Sequence, residues 1–391
     1  MTAPAVTLHP RGVRRLTTRH PWIFADDVRS ADGAAHGDVV RLADSQGRGL
    51  GYGFFSSRSK ITLRVLTLED ALPDVTFFAR RIDLALARRA ALERWEARRL
   101  LFAESDGIPG FIADIYGTHL VVQATTAATE RLLPSLVALL RERLPIDSAL
   151  ARNDASVRRL EGLGREVVPV FGTTPERVVV GEGAIRYAAD PWRGQKTGAF
   201  LDQRENRLVC GTHAKGRVLD AFSYHGSFAL HAARAAREVV AVDASADALA
   251  RGRENARENG LTNVTFVEGN VFDDLRARAD RGERFDLVLL DPPAFAKSRV
   301  DVPAARRGYK DVNLRGFRVL APGGVLMTSS CSYHMDETEF EHVVRDAAAD
   351  AGRDVVVLER RGQAADHPVR LAFPESRYLK CLVLRDAGAA P

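Results

Sequence analysis

From residue 191 to the C-terminus, short apolar runs and amphipathic stretches alternate strictly, and no other feature restricts the fold as tightly. Such alternation is the mark of a doubly wound parallel sheet, an α/β architecture. "GRVLDAF" reads as the first strand, "SFALHAARAA" as its helix, and "EVVAVDAS" as the second strand, ending in an acid. The helix "ADALARGRENARENG" stops at Asn259-Gly260, a C-terminal signal. "NVTFVEGN", "FDLVLLDPP" and "GGVLMTSSC" supply three more strands, with "AARRGYKDVNLRGFRVLAPGG" as a helix between the last two. "YLKCLVLRD" reads as a late, antiparallel strand that closes the sheet.

Two further segments precede this domain. Residues 1–72 read as a small β-barrel, because "GDVVRLADSQGRGLGYGFF" and "KITLRVLTL" alternate apolar and polar residues around closely spaced glycines. Residues 73–190 mix helix and strand into a small α+β domain, with strand-like "GFIADIYGTHLVVQAT" and a helix over Glu130 to Leu144. Within it, Arg80 to Arg99 follows a helical pattern dense in arginine, which reads as a solvated helix face rather than an RNA contact. With 391 residues, 46% of them apolar, the chain can give each segment a core.

No apolar run approaches the roughly 18 to 20 residues of a membrane span, and the N-terminus lacks the build of a signal peptide. A cytoplasmic protein without membrane partners is expected. Three cysteines, Cys210, Cys331 and Cys381, stand far apart with no C-x-x-C pair, so neither disulfides nor a metal site are expected. The net charge of +5 admits a polyanionic partner such as nucleic acid.

In open α/β sheets, ligands sit beyond the carboxyl ends of the strands. The first turn, "DAFSYHG" from Asp220 to Gly226, has one glycine where a dinucleotide fold requires G-x-G-x-x-G. A pyrophosphate cradle is therefore not supported. S-adenosylmethionine has no phosphate; its ammonium, carboxylate and sulfonium call for an acid and nearby backbone groups, which Asp220 and Gly226 offer, with Phe222 in the same turn. Asp243 ends the second strand, where an acid can accept ribose hydroxyls, although a lone acid there also serves as a helix cap. Asn270 ends the third, where an amide can read the edge of adenine. After the fourth, "DPPAFAKS" uses two prolines to stiffen a loop that holds Asp291 and Phe295 at the sheet edge. A carboxylate can accept from a base's exocyclic amine and an aromatic ring can stack on its face, so Pro292, Pro293, Phe295 and Lys297 are candidate substrate contacts.

These motifs cover essentially the whole chain, and together the sequence resembles the large-subunit rRNA 5-methylcytosine methyltransferases of the RlmI/RlmO type. The matching stretches are "HPWIF" and "GDVVRLADSQGRGLGYG", "ESDGIPGFIADIYG", "GQKTGAFLDQRENR", "DAFSYHG", "DPPAFAKS", "SSCSYHM" and "ESRYLK". The resemblance implies a PUA barrel and a central domain ahead of a class I methyltransferase domain over 191–391. It also implies S-adenosylmethionine as cofactor and large-subunit rRNA as substrate, and it is compatible with a homodimer. Phe200, Asp202 and Arg204 would line the cofactor pocket alongside Asp220, Asp243, Asn270 and Asp291.

Carbon 5 of cytosine is too poor a nucleophile to take a methyl group directly, so enzymes that methylate it first add a thiolate to carbon 6. Cys331, in "VLMTSSCSYHM", is the candidate nucleophile, because Thr328, Ser329, Ser330 and Ser332 around it read as a run that has left the apolar core. Cys210 and Cys381 read as buried small hydrophobes. A free thiol titrates near roughly 8.5, so a neighbour must favour the thiolate, and Lys297 and His334 are both candidates. Asp291 would hold the exocyclic amine or, protonated, feed ring nitrogen 3. Many RNA 5-methylcytosine enzymes carry a second cysteine after the fourth-strand proline, whereas this chain reads Asp291-Pro292-Pro293-Ala294. Two alternatives share the sheet: an rRNA guanine-nitrogen methyltransferase in which Cys331 is idle, and a non-catalytic ribosome assembly factor.

Overall fold

The computed structural model describes residues 3–296 and 298–388. They form two compact units. The first comprises the residues up to Val180 with Ala189–Leu201 and Ala365–Ser376; the second comprises Gly181–Ala188, Asp202–Ala364 and the residues from Arg377 on.

In the first unit, β1 (Ala5–Leu8), helix α1 (Pro10–Thr17), β2 (Trp22–Phe24), β3 (Val28–Ser30), β4 (Val39–Ala43), β5 (Gly49–Phe55) and β6 (Ile61–Thr67) build a sheet in the order β2-β6-β5-β4-β1-β3. The alternation read from sequence turns Val40, Leu42 and Leu63 inward, where they are fully buried with Val6, Leu8 and Ile23. Gly51 explains one of the spaced glycines: its φ is +119° and a Cβ there would stand 2.0 Å from the Thr67 carbonyl oxygen of β6.

A second sheet in this unit has the order β11-β10-β9-β8-β7. Its elements are helix α2 (Val75–Arg88), β7 (Ala97–Phe102), α3 (Ala103–Asp106), β8 (Phe111–Tyr116), β9 (His119–Ala124), α4 (Ala127–Arg141), β10 (Ser148–Asn153) and β11 (Glu166–Phe171). Phe78, Ile82 and Ala85 of α2 and Leu136, Val137 and Leu140 of α4 pack on this sheet's apolar face. Here the arginine-rich stretch departs from expectation. The helix ends at Arg88, and from Ala97 the chain is a strand. Nor is it a solvated face throughout, since Arg89 is 2% and Arg99 6% exposed. Arg99 lies opposite Asp114 in the β7–β8 ladder and makes two 2.8 Å bonds to its carboxylate; Arg89 Nη2 lies 2.7 Å from Asp106. A guanidinium inside a protein must be paired, and periodicity alone cannot reveal which arginines have a carboxylate waiting.

A ladder of β12 (Val178–Glu182) and β13 (Ile185–Ala189) follows in the chain. The second unit alternates helix and strand up to β19: α5 (Arg204–His213), β14 (Arg217–Ala221), α6 (Ser227–Ala233), β15 (Glu238–Asp243), α7 (Ala246–Glu258), β16 (Val264–Glu268), α8 (Val271–Asp280), β17 (Phe285–Leu290), α9 (Val302–Val319), β18 (Leu320–Ser330), α10 (Glu337–Asp350), β19 (Asp354–Arg361) and β20 (Lys380–Gly388), of which α5, α8, α10 and β19 go beyond the elements read from sequence. The strand order is β16-β15-β14-β17-β18-β20-β19, all parallel except for β20, which runs antiparallel to both neighbours. The order reverses between β14 and β17, and that switch opens a crevice at the carboxyl ends of the strands. Helix α9 is shorter than its sequence pattern because Ala321 precedes Pro322, which disfavours α-helical backbone, and Leu320 onward joins β18 instead. Among the described residues no helix is long and apolar enough to cross a membrane.

Candidate active site

Strands β14, β15 and β17 deliver three carboxyl groups to one edge. Asp220, near the end of β14, is 1% exposed, and its Oδ2 accepts from the backbone N of Ala229 in α6 at 2.9 Å. Burial pushes its pKa well above the usual carboxylate range, and the charges of Asp291 and Asp243 push it further. A buried carboxyl group beside two further acids calls for a cation among them. The ammonium and sulfonium of S-adenosylmethionine meet that need.

The loop from β14 to α6 is held in unusual backbone conformations: Phe222, Tyr224 and Gly226 have φ of 66°, 52° and 77°. A side chain rarely adopts such values without compensation. Here the compensation is a set of ties, Ser223 N to Val242 O at 2.9 Å, Tyr224 N to Asp243 Oδ2 at 2.8 Å and Gly226 N to Ser223 O at 2.8 Å. Gly226 is required twice over, since a Cβ there would also meet the Phe266 ring at 2.8 Å. Ser223 Oγ is buried in this loop with no hydrogen-bond partner among the described residues, a polar atom that a ligand would satisfy. Asp243 is thus both latch and candidate ribose acceptor: its Oδ1 also takes Ser245 N at 2.9 Å, and each carboxylate oxygen can accept a second bond. Asn270 is exposed and caps α8 through Oδ1, which accepts from Phe272 N at 2.9 Å; its amide N–H groups are the part that remains for a ligand.

Of the other residues expected at the cofactor, Asp202 is buried and accepts from the Tyr378 hydroxyl at 2.6 Å. Arg204 is fully buried, with Nη2 2.9 Å from Glu205. Phe200 belongs to the first unit, where the Lys196 ammonium lies 4.8 Å above its ring.

Beyond β17, Asp291 Oδ1 accepts from Gln203 Nε2 at 2.9 Å, Pro292 is buried and Pro293 exposed. Phe295 is half-buried in an aromatic series, 4.6 Å from the Tyr309 ring and 6.1 Å from Phe272. Lys297 lies outside the described residues. The backbone N of Ala296 donates to Ser332 Oγ at 3.1 Å, so the loop after β17 is joined to the one after β18.

Cys331 is the first residue past β18 and is half-buried. The hydroxyl run around it has not left the interior, contrary to expectation: Thr328, Ser330 and Ser332 are 0% and Ser329 3% exposed. Burial is tolerated because most of these hydroxyls are bonded. Ser332 Oγ meets Tyr309 Oη at 2.9 Å, and Ser330 Oγ accepts from Ser332 N at 3.3 Å. His334 is half-buried with its ring edge-on to Tyr333. Sequence reasoning missed Lys380. It stands opposite Ser330 in the β18–β20 ladder, is 3% exposed, and its Nζ donates to the carbonyls of Ser332 at 2.6 Å and Tyr378 at 2.9 Å. A lysine inside the apolar run "YLKCLVL" was the available signal. Cys210 and Cys381 are buried as expected, and burial raises both thiols, Cys381 to about 12.

The first unit holds a separate cavity of about 330 Å³, bounded by α1, β6 and α2 and lined by Arg19, His20, Glu69, Arg81 and Arg370 among others. Burial and the neighbouring charge of Arg370 lower the Arg81 pKa, while burial and Arg19 lower that of Arg370. Both guanidiniums donate to backbone carbonyls, Arg81 to Leu66 and Arg370 to Glu104. A cavity whose cations repel one another is suited to an anion.

The sequence matches two described families, a PUA-like domain over residues 6–68 and the S-adenosylmethionine-dependent methyltransferases over residues 169–368. It is 42% identical over 382 residues to the ribosomal RNA large subunit methyltransferase I of Aeromonas salmonicida, covering 95% of this chain and 96% of that one. A protein of the same name from Shewanella amazonensis is 42% identical over 391 residues, covering 97% and 98%. Among solved structures, the methyltransferase SMU.776 complexed with SAH superposes with a TM-score of 0.83 at 21% identity, over 98% of this chain and 100% of that one, a likeness of fold.

Proposed function

This chain belongs to the ribosomal RNA large subunit methyltransferase family and takes S-adenosylmethionine as its cofactor; on that premise we propose that it methylates carbon 5 of a cytosine in large-subunit rRNA through a covalent adduct with Cys331. S-adenosylmethionine, when bound, supplies an electrophilic methyl group. Asp220, Asp243, Asn270 and Asp291 hold and orient it at the carboxyl edge of the sheet.

The observation that carries the reading is the bond from Ala296 N to Ser332 Oγ, which joins the Asp291 loop to the Cys331 loop. A base gripped by the first loop is then within the compass of the thiol on the second. The Cys331 thiolate adds to carbon 6, and the ring electrons make carbon 5 enamine-like. Once carbon 5 carries the methyl group, its proton passes to water, the electrons of that C–H bond re-form the double bond to carbon 6, and the bond from carbon 6 to sulfur breaks to return the thiolate. Asp291, oriented by Gln203, accepts from the exocyclic amine. Pro293 and Phe295, exposed and half-buried residues of the Asp291 loop, form the surface that meets the base.

The N-terminal PUA-like domain, with the central domain over 73–190, is the RNA-holding part of this reading. The arginine-lined cavity beside α1 and β6 supports it, because guanidinium groups match phosphate oxygens.

RNA carrying 5-fluorocytidine at the target should be methylated and then trapped, because fluorine cannot leave as the proton does, and the adduct should survive a denaturing gel. Cys331→Ala should abolish adduct and transfer together, whereas Cys210→Ala or Cys381→Ala should leave the adduct in place. A Cys331→Ala enzyme that transfers methyl groups at the wild-type rate would refute the covalent route. Nucleoside analysis of its product would then distinguish a modified guanine from a cytosine.

A further inference from the structure

The nucleophile needs its charge held, and Lys297 and His334 are the two candidates read from sequence. Lys297 lies outside the described residues, and His334 is turned edge-on to Tyr333. Lys380 is placed otherwise. It faces Ser330 across the ladder and bonds to the carbonyl of Ser332, so it engages the residues on both sides of Cys331. A neutral amine has two N–H donors and one lone pair. The carbonyls of Ser332 and Tyr378 take two donors, at 2.6 and 2.9 Å. What remains on Nζ is the lone pair.

We propose that Lys380 is the positioning residue that holds Cys331 as a thiolate, taking the thiol's proton on its lone pair and keeping the resulting ammonium beside the sulfur. The S–H bond breaks, an N–H bond forms on Nζ, and the charges created are opposite and adjacent, so no further reactant is required. The assignment rests on the reading of Cys331 as nucleophile.

The surroundings suit such an exchange. Burial lowers the Lys380 pKa to about 8, against the pull of Cys331, Asp336 and Glu337, which favour the ammonium, and with the help of Arg377, which opposes it. A thiol of roughly 8.5 and an amine near that value share a proton with little driving force either way. Tyr309 also faces Cys331, but burial raises its pKa, so it stays neutral and offers no competing charge. Cys381, next in the chain to Lys380, is held far from ionising by its own burial.

The test is the rate of iodoacetamide alkylation of Cys331 in the full-length protein between pH 5 and 10, with Cys331→Ser as the blank for the two buried cysteines. The wild-type thiol should titrate at least about one unit below the roughly 8.5 of free cysteine. Lys380→Gln keeps two N–H donors for the carbonyls but has no basic lone pair. It should raise the thiol pKa by more than about one unit, a tenfold or greater loss of rate at pH 7. Lys380→Arg, which keeps a charge, should hold the thiol low. A wild-type thiol at or above the free value overturns the proposal without any variant, and so does an unchanged profile in Lys380→Gln. Alkylation requires no RNA, so an active Cys331→Ala enzyme would defeat the nucleophile reading while leaving the thiolate measurement standing.

Discussion

Replacing Asp243 by alanine separates a latch from a ligand contact. The carboxylate accepts from the backbone N of Tyr224 at 2.8 Å and of Ser245 at 2.9 Å, and the first of these restrains a loop in which Phe222 and Tyr224 hold left-handed backbone angles. Bonds to an ionised acceptor contribute about 1.5 to 3 kcal/mol each when buried. Asp243 is half-buried, so water recovers part of that, and a stability loss of about 1 to 2 kcal/mol is expected. If the same carboxylate accepts the ribose hydroxyls, S-adenosylhomocysteine should also bind about ten- to a hundredfold more weakly by calorimetry. A loosened loop alone could weaken binding, and a cycle resolves the two contributions. An analogue lacking the ribose hydroxyls should bind the wild type poorly and lose in Asp243→Ala only the part due to the loop. If the analogue's penalty is as large in the variant as in the wild type, Asp243 does not hold the ribose, and its role is confined to the loop.

Two other outcomes are expected. Arg81→Ala and Arg370→Ala should each weaken binding of an rRNA fragment and flatten its dependence on salt by about one counterion, while affinity for S-adenosylhomocysteine is unchanged; an unaltered salt slope would exclude the cavity from the RNA surface. In the second unit, buried Glu182 lies 2.6 Å from Arg207 and 3.0 Å from His231, and although burial pushes its pKa up, these partners hold it at about 2, against 4.5 for the free group. The unfolded chain binds the extra proton between those values, so this stabilisation is complete above pH 4.5 and lost as pH falls through 2. The stability advantage of wild type over Glu182→Gln should shrink by about 3 kcal/mol over that range in denaturant titrations, and a constant difference would show the carboxylate is not so held.

The doubly wound sheet was legible because its signals are local: apolar runs, a glycine stop after α7 and an acid at the end of β15. Parallel strands bring their carboxyl ends to one edge, so Asp220, Asp243 and Asp291 fall together on sequence alone. What escaped the reading depends on partners distant in sequence. Arg89 and Arg99 look like surface charges until Asp106 and Asp114 are brought beside them. Ser332, beside Cys331, looks exposed until Tyr309 and Ala296 supply the bonds of its hydroxyl. Lys380 gains its place only when β20, legible as a late antiparallel strand, inserts between β18 and β19 instead of closing the sheet's edge.

The first unit takes Ala365–Ser376 into its fold, and this has a bearing on the protein's birth. Arg89, shut inside near α2, directs Nη2 to the Asp366 carbonyl at 2.8 Å, and Arg99 N donates to the Asp366 carboxylate at 2.9 Å. His20, just before β2, and Trp22, its first residue, rest edge-on against Phe373. Domains commonly fold in the order in which the ribosome releases them. This one cannot, since the residues that complete its interior, Ala365–Ser376, are translated only after Asp202–Ala364 of the second unit. The nascent chain must therefore carry an unfinished N-terminal half, with buried arginines lacking part of their bonding, while most of the second unit is being made.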